Sequence, residues 1–422
     1  MAKVSLLALL FAAMLFAVTC SPFGGGAFQC ANDSECQGAF DGRCESNGFC
    51  SFPDESCGIG GRRYGELSGA LGGKCTNDVP IDAAVDAAKL IDAQLPEAGE
   101  TCLGVTGGFA NPCFAVPPSG SITLNGPIDT NGAMCSTMVS NTTACVIAAG
   151  TIQIDAGATV TVTGSKPLVL AATSTVTING VLDVASHHGG ITPGAAGNDA
   201  GCDNGTAATS QGGSGGGGAG GSFGAKGGNG GGVGATAGTS GAAQVPTTLR
   251  GGCRGQDGHE GGGVAATRGV GGNGGGAVYI IGQTSIVVGA TGVINASGAG
   301  STNGVTALAG GGGGGSGGLI GLDSISVTST GLIFANGGSG AEGSGNAGAG
   351  STGSDPIGAG AAIPVTPQSG NGGDGGNGGA APTNTGANGG TTLDGGGAGG
   401  AVGVIRVFPL QALGGAVSPA PT

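Results

Sequence analysis

Three stretches of this chain repeat one pattern, and that repeat restricts the fold more than any other feature. They are PLVLAATSTVTINGVLDVA (167–185), AVYIIGQTSIVVGATGVINAS (277–297) and GLIGLDSISVTSTGLIFAN (318–336). Aligned on Gly180, Gly292 and Gly331, they place Val176, Val288 and Val327 four residues earlier. Leu168, Ile280 and Leu319 then stand twelve residues earlier, and Leu182, Ile294 and Ile333 two residues later. Each reads as three strands of three to five residues joined by one- to three-residue turns. Residues 152–164 match the first two strands, because Ile152 and Val160 keep the same distances from Gly164. Ile122 and Leu124 mark a fragment before them, and AVGVIRVF (401–408) supplies a last strand. Alternation such as Ile152/Ile154 and Val160/Val162 turns one face inward. Three short strands cannot bury that face alone, whereas stacking repeat on repeat closes an apolar interior and pairs the backbone. The expected fold is therefore all-β: a right-handed parallel β-helix. Glycine at the corner is expected to admit a turn that β-branched residues resist. A β-sandwich would instead need hairpins reversing the chain at regular intervals.

Glycine fills the spaces between the repeats. The chain has 104 glycines, 80 of them in the last 236 residues, so that part is one third glycine. Irregular spacing and only 18 prolines exclude collagen. The glycine-rich tracts span about 187–276, 298–317 and 337–400, each after a third strand. They read as insertions leaving one edge of a stacked rod. Two readings stay open, flexible chain or ordered packing. Cys202 and Cys253 lie inside the first tract, and GGDGGNGGA (372–380) has a three-residue glycine period that suits extended three-fold helices side by side.

The formal net charge is −13, from 12 basic and 25 acidic residues, with Arg62-Arg63 the one basic cluster read from the sequence. Binding to nucleic acid by phosphate neutralisation is not expected. The chain opens MAKVSLLALLFAAMLFAVTCSP, whose apolar run from Val4 to Val18 has signal-peptide length rather than membrane-span length. Thirteen cysteines follow an instructive arithmetic. Cys20 directly follows the apolar run. The other twelve form even groups: Cys30, Cys36, Cys44, Cys50, Cys57 and Cys75; Cys102, Cys113, Cys135 and Cys145; and Cys202 with Cys253. Six disulfides within groups are expected of an exported chain, with connectivity left open. Zinc fits the first group poorly, because its spacings exceed the short knuckles that zinc prefers. Cys20 is then the acylation site of a lipoprotein, although Phe16-Ala17-Val18-Thr19-Cys20 resembles a lipobox only in part. Ser21 fits outer-membrane delivery, and ordinary cleavage with secretion is the alternative.

The expected organisation is a signal peptide (1–19), a tether (20–29), a disulfide-rich module (30–75), an Asp/Ala-rich linker (76–101) and a β-helix repeat domain (102–422). A module of 46 residues needs crosslinks to hold its fold.

The β-helix resembles that of pectin-lyase-like polysaccharide lyases and hydrolases. Those enzymes need clustered Asp, Lys or Arg on one face. Here the strands offer Asp155, Lys166, Asp183, Asp323 and Arg406, and only the pair Asp183/Asn295 recurs at an equivalent position. His187-His188 and Asp257-x-His259-Glu260 flank the first insertion and hold metal-ligand residue types, but loose polar residues of a long surface loop explain them better. No catalytic residue, cofactor or metal is assigned. GSGGGGAGG lacks the Lys-Ser/Thr ending of a phosphate loop.

Several stretches together resemble a family of predicted envelope proteins of myxobacterial type. They are CANDSECQGAFDGRCESNGFC with CGIGGRRYG, DAAVDA, GSKPLVLAA, LRGGC, GGGAVYIIG and GAVGVIRV. The resemblance implies an exported, lipid-anchored, glycine-rich β-repeat protein and carries no activity with it. The expected function is a non-catalytic structural or adhesive lipoprotein of the cell surface. Its expected partners are the outer membrane, through the anchor, and polysaccharide or other cell-surface molecules. A polysaccharide lyase or hydrolase is the alternative.

Overall fold

In the computed structural model the described residues are 29–37, 41–57, 61–76, 100–105, 107–135, 142–232, 237–261, 268–305, 308–345, 348–365 and 371–422. The signal peptide, Cys20, the tether up to residue 28 and linker residues 77–99 lie outside them. The chain divides into two compact units, Met1–Ala93 and Gln94–Thr422.

The first unit is a small antiparallel sheet of Arg43–Cys44, Cys50–Pro53 and Arg62–Tyr64. Its apolar cluster is little more than Cys30, Cys36 and Cys50 with Phe52. Crosslinks replace a core: Cys30–Cys44, Cys36–Cys50 and Cys57–Cys75. Cys30, Cys36 and Cys50 have sulfurs within 4.8 Å of one another because two of these disulfides lie side by side.

The second unit is nearly all β and built on three parallel sheets. The first contains Cys145–Ala149, Leu168–Ala172, Ala277–Gly282, Leu319–Asp323 and Val404–Phe408 in that spatial order. The second contains Ser121–Thr123, Thr151–Ile154, Thr175–Ile178, Ser285–Val288 and Val327–Ser329. The third contains Ile128–Asp129, Thr159–Thr163, Val181–Asp183, Val293–Asn295, Leu332–Phe334 and Ala416–Ser418. Every pairing within these sheets is parallel. One apolar cluster collects side chains from all three sheets. Leu168 and Leu170 come from the first, Val176 and Ile178 from the second and Leu182 from the third, and none of the five is exposed. Each such side chain contributes roughly 1.5–3 kcal/mol on burial.

The register differs from the glycine alignment. Leu182, Ile294 and Ile333 form one rank, but Leu168 pairs with Val278, which pairs in turn with Ile320, and Ile178 pairs with Val288. The turn at Gly289–Gly292 holds two more residues than its counterpart at Asn179–Gly180, which shifts the preceding strands by two and keeps their faces. The turn after Asp323 is one residue shorter, so Leu319 lies opposite Ala277, outside the central cluster. Residues 152–164 occupy the second and third sheets rather than the first two: Ile152 pairs with Val176 and Val160 with Leu182. Beyond 401–408 the chain adds one more strand, Ala416–Ser418.

The corner glycines have a different cause from the expected one. None of Gly180, Gly292 and Gly331 has a left-handed φ. A Cβ on Gly180 would lie 2.3 Å from the Asp155 carbonyl oxygen, and one on Gly292 2.2 Å from that of Ile178. Close approach of the neighbouring repeat requires glycine there.

The three central first-sheet strands are buried on both faces. Their outer face is covered by residues 101–114, where Leu103, Ala110 and Phe114 pack on Val146, Val169, Ala171, Tyr279 and Ile281. This segment is itself a two-strand ladder closed by Cys102–Cys113. Continuous apolar runs such as LVLAA and AVYII carry the sequence signal for such burial.

The glycine-rich tracts are ordered over the described residues. Segment 310–318 shows how. Successive N–H groups rotate among three neighbours: Gly310, Gly313 and Ser316 donate to His259, Gln256 and Cys253; Gly311, Gly314 and Gly317 to Gly395, Ala398 and Ala401; Gly312, Gly315 and Gly318 to Thr302, Ala299 and Ala296. Its carbonyls accept with the same period from 269–275, 218–221 and 338–341. Six neighbours and a three-residue period are the pattern of extended three-fold helices packed side by side. Each of the nine N–H groups of 310–318 is thereby paired without a sheet. Side chains are excluded from the centre, because a Cβ on Gly313 would meet the Ala219 carbonyl oxygen at 2.0 Å.

Candidate functional site

The cysteines of the second unit form Cys102–Cys113, Cys135–Cys145 and Cys202–Cys253. With the first unit's three, the twelve cysteines make six disulfides. Such crosslinking belongs to an oxidising, exported compartment. Among the described residues no helix is long and apolar enough to cross a membrane.

The charged strand residues do not converge. Asp155 sits in a turn and accepts from the Gln153 side chain. The Lys166 N–H donates to Thr130 Oγ1 (3.2 Å). Asp183, on the third sheet, accepts from Asn295 Nδ2 (3.2 Å). Asp323, on the outer face of the first sheet, accepts from the Tyr279 hydroxyl (2.8 Å) and the Val105 N–H (2.8 Å). Burial raises the Asp323 pKa against the lowering effect of these two bonds, and burial also raises that of Tyr279. This pair fastens the 101–114 segment to the sheet. Phe109 joins it, edge-on to Tyr279 and Phe408 at 6.1 and 6.0 Å. Arg406 lies in the last first-sheet strand, opposite Gly321.

The two histidine groups also stay apart, since no described hydrogen bond or ion pair joins one to the other. His187 lies between two carboxylates, with Nε2 3.0 Å from Asp183 Oδ2 and Nδ1 3.4 Å from Asp355 Oδ2. Hydrogen bonds to Asp183 and then Asp355 push its pKa up to about 10 despite partial burial. Asp355 also accepts from the His188 and Gly300 N–H groups, tying the third tract to the first two. This brace was not legible in the sequence, because Asp355 is 168 positions from His187.

Asp257 and His259 belong to a different feature, a cleft of about 550 Å³ in the first tract, lined among others by Asn204, Arg254, Gln256 and Arg268. Asp257 Oδ1 accepts from Arg254 (2.6 Å) and the Gly271 N–H (3.0 Å), and Oδ2 from Arg268 (3.2 Å). Burial pushes the Asp257 carboxyl up, but Gly271 and the two guanidiniums outweigh it and hold its pKa below the ordinary value. Glu260 is 3.7 Å from Arg268, and Arg250 holds the wall residue Asp199 at 2.6 Å. The cleft wall includes Cys202, so the Cys202–Cys253 disulfide ties it to the tract interior. The arginines were missed as a group because fourteen or fewer residues separate neighbours in a glycine-rich run with no periodicity; the fold gathers them around one carboxylate. The arrangement offers fixed planar donors in a half-open hollow.

No protein-family model matches the chain, and neither a curated protein nor a solved structure matches it.

Proposed function

We propose that the protein is a non-catalytic structural or adhesive lipoprotein of the cell surface, acylated at Cys20, whose second unit is a right-handed parallel β-helix with a glycine-rich flank. The reading places polysaccharide or other cell-surface molecules on the outward face of the second sheet. One observation carries it. The five strands of that sheet contain no ionisable side chain, and their outward positions form ranks across the stack that are polar except at Val287. Ser121 pairs with Thr151 and Thr175 with Ser285, with hydroxyls at 2.7 and 3.1 Å. The second rank is Thr123, Gln153, Thr177, Val287 and Thr328. Rungs repeat at about 4.8 Å, so weak hydrogen bonds from one long, uncharged partner add up along the face. The separation of Asp155, Lys166, Asp183, Asp323 and Arg406 over three sheets and turns favours this reading over a lyase or hydrolase.

A glycan array probed with purified protein tests the adhesive role. Binding to neutral polymers that falls on changing Thr151 and Thr177 to Glu is the expected result, and release of unsaturated product from a uronate polymer would overturn it. Mass spectrometry of the mature N-terminus, with and without globomycin, tests acylation of Cys20.

A further inference from the structure

We propose that the Arg254–Asp257–Arg268 cleft is a binding site for a sugar that carries one oxyanion, either carboxylate or phosphate. The site lies in the glycine-rich region rather than on the second-sheet face, and its ligand does not depend on a lipid at Cys20.

Charge distribution is the first argument. Residues 94–422 contain fourteen Asp and Glu but only six Lys and Arg. Three of those six gather here: Arg254 and Arg268 line the cleft, and Arg250 fixes Asp199 in its wall. Half of the unit's cations are thus gathered around one hollow, each braced by a carboxylate: Arg254 and Arg268 by Asp257, Arg268 also by Glu260 at 3.7 Å, and Arg250 by Asp199.

Hydrogen-bond capacity is the second. A guanidinium has five N–H donors. Arg254 and Arg268 each give one to Asp257, at 2.6 and 3.2 Å, and both side chains remain 36% exposed. Most of their donors have no partner among the described residues. Asp257 is a brace: its oxygens are already engaged by Arg254, Gly271 and Arg268. The surplus facing the hollow is therefore donor surplus, which an acceptor-only group satisfies, and a braced planar fork loses little freedom on gripping one.

The remaining lining explains the sugar. His259 uses Nδ1 on the Glu260 carbonyl (2.8 Å), leaving Nε2, and the Asn204 amide has no described side-chain partner. Both suit hydroxyls. The volume of about 550 Å³ falls in the range of small-molecule sites.

The test is calorimetric titration of the purified full chain with glucuronate, glucose 6-phosphate and glucose. Saturable one-to-one binding of at least one charged sugar is expected, with glucose at least tenfold weaker; whichever charged sugar binds identifies the oxyanion. Arg254→Gln and Arg268→Gln should each weaken binding at least tenfold. Ala207→Trp fills the cleft mouth from an exposed lining position without touching an ion pair, and should abolish binding in a chain that folds normally. The proposal fails if neither charged sugar saturates, if glucose binds as well, or if Ala207→Trp binds as tightly as the parent.

Discussion

Adding one methyl group inside the glycine-rich region tests its packing directly. In Gly314→Ala the new Cβ would lie 2.1 Å from the Gly338 carbonyl oxygen and 2.6 Å from its carbon. Neither is the end of a flexible side chain, so two backbones must separate. Gly314 donates to Ala398 (2.8 Å) and accepts from Gly221 (2.9 Å), and Gly338 donates to Gly315 (2.9 Å). Overpacking alone costs about 1–3 kcal/mol, and stretching one or two of these buried bonds adds about 1 kcal/mol each. A loss of about 3–4 kcal/mol follows. The control is Gly358→Ala, whose Cβ meets nothing within 4 Å and whose φ is not left-handed. It should be neutral or stabilising by up to about 1 kcal/mol, because alanine restricts the unfolded chain. Urea unfolding with disulfides intact reads the difference. At a slope of about 3 kcal/mol/M, Gly314→Ala should lower the midpoint by roughly 1 M and Gly358→Ala should leave it in place. Equal midpoints for the two variants would refute side-by-side packing of these segments.

Three further outcomes are expected. The raised pKa of His187 means that its stabilisation is complete below the unfolded value of 6.5 and is lost as pH climbs through about 10. His187 is half exposed, so screening leaves about 1 kcal/mol: the unfolding temperature of His187→Gln should lie about 2 °C below the parent at about pH 6 and coincide with it at about pH 11. Replacing both Cys202 and Cys253 with Ser opens a crosslink that spans 51 residues and should cost about 4 kcal/mol on loop entropy, read as a lower urea midpoint. Tyr279→Phe removes a buried donor from Asp323, leaving the Val105 N–H as its one donor among the described residues, and should cost about 2 kcal/mol; hydrogen exchange should then quicken first in residues 101–114.

What the sequence reveals here depends on whether side chains or backbone do the holding. Strand positions of period two, such as Ile152/Ile154 and Val176/Ile178, are legible because water sorts their faces, and the partnership of Leu182, Ile294 and Ile333 survives intact. The register of the other strands survives only in part: Val176 and Val327 both pair with Ile286, but a turn longer or shorter by one or two residues leaves apolar composition unchanged while moving the other partners. Leu319 is the sharpest case, since a one-residue slip carries it to the opposite face. The glycine tracts are the reverse situation. Their hydrogen bonds join backbone to backbone, so no side chain announces which of six neighbours a segment touches; only the three-residue period in GGDGGNGGA hints at the geometry, and 310–318, an almost unbroken glycine run, hides even that. The Arg254–Asp257–Arg268 cleft depends on the same hidden packing. Asp257 and Gly271 meet because 255–258 and 269–272 run side by side, with Gly255 donating to Gly272 and Gly258 to Gly269. Arg254 and Arg268, each one residue before those segments, can then share one carboxylate. Glycine brings the backbones close enough to place the few charged side chains, and that placement lies outside the strand repeat, where no apolar periodicity reports it.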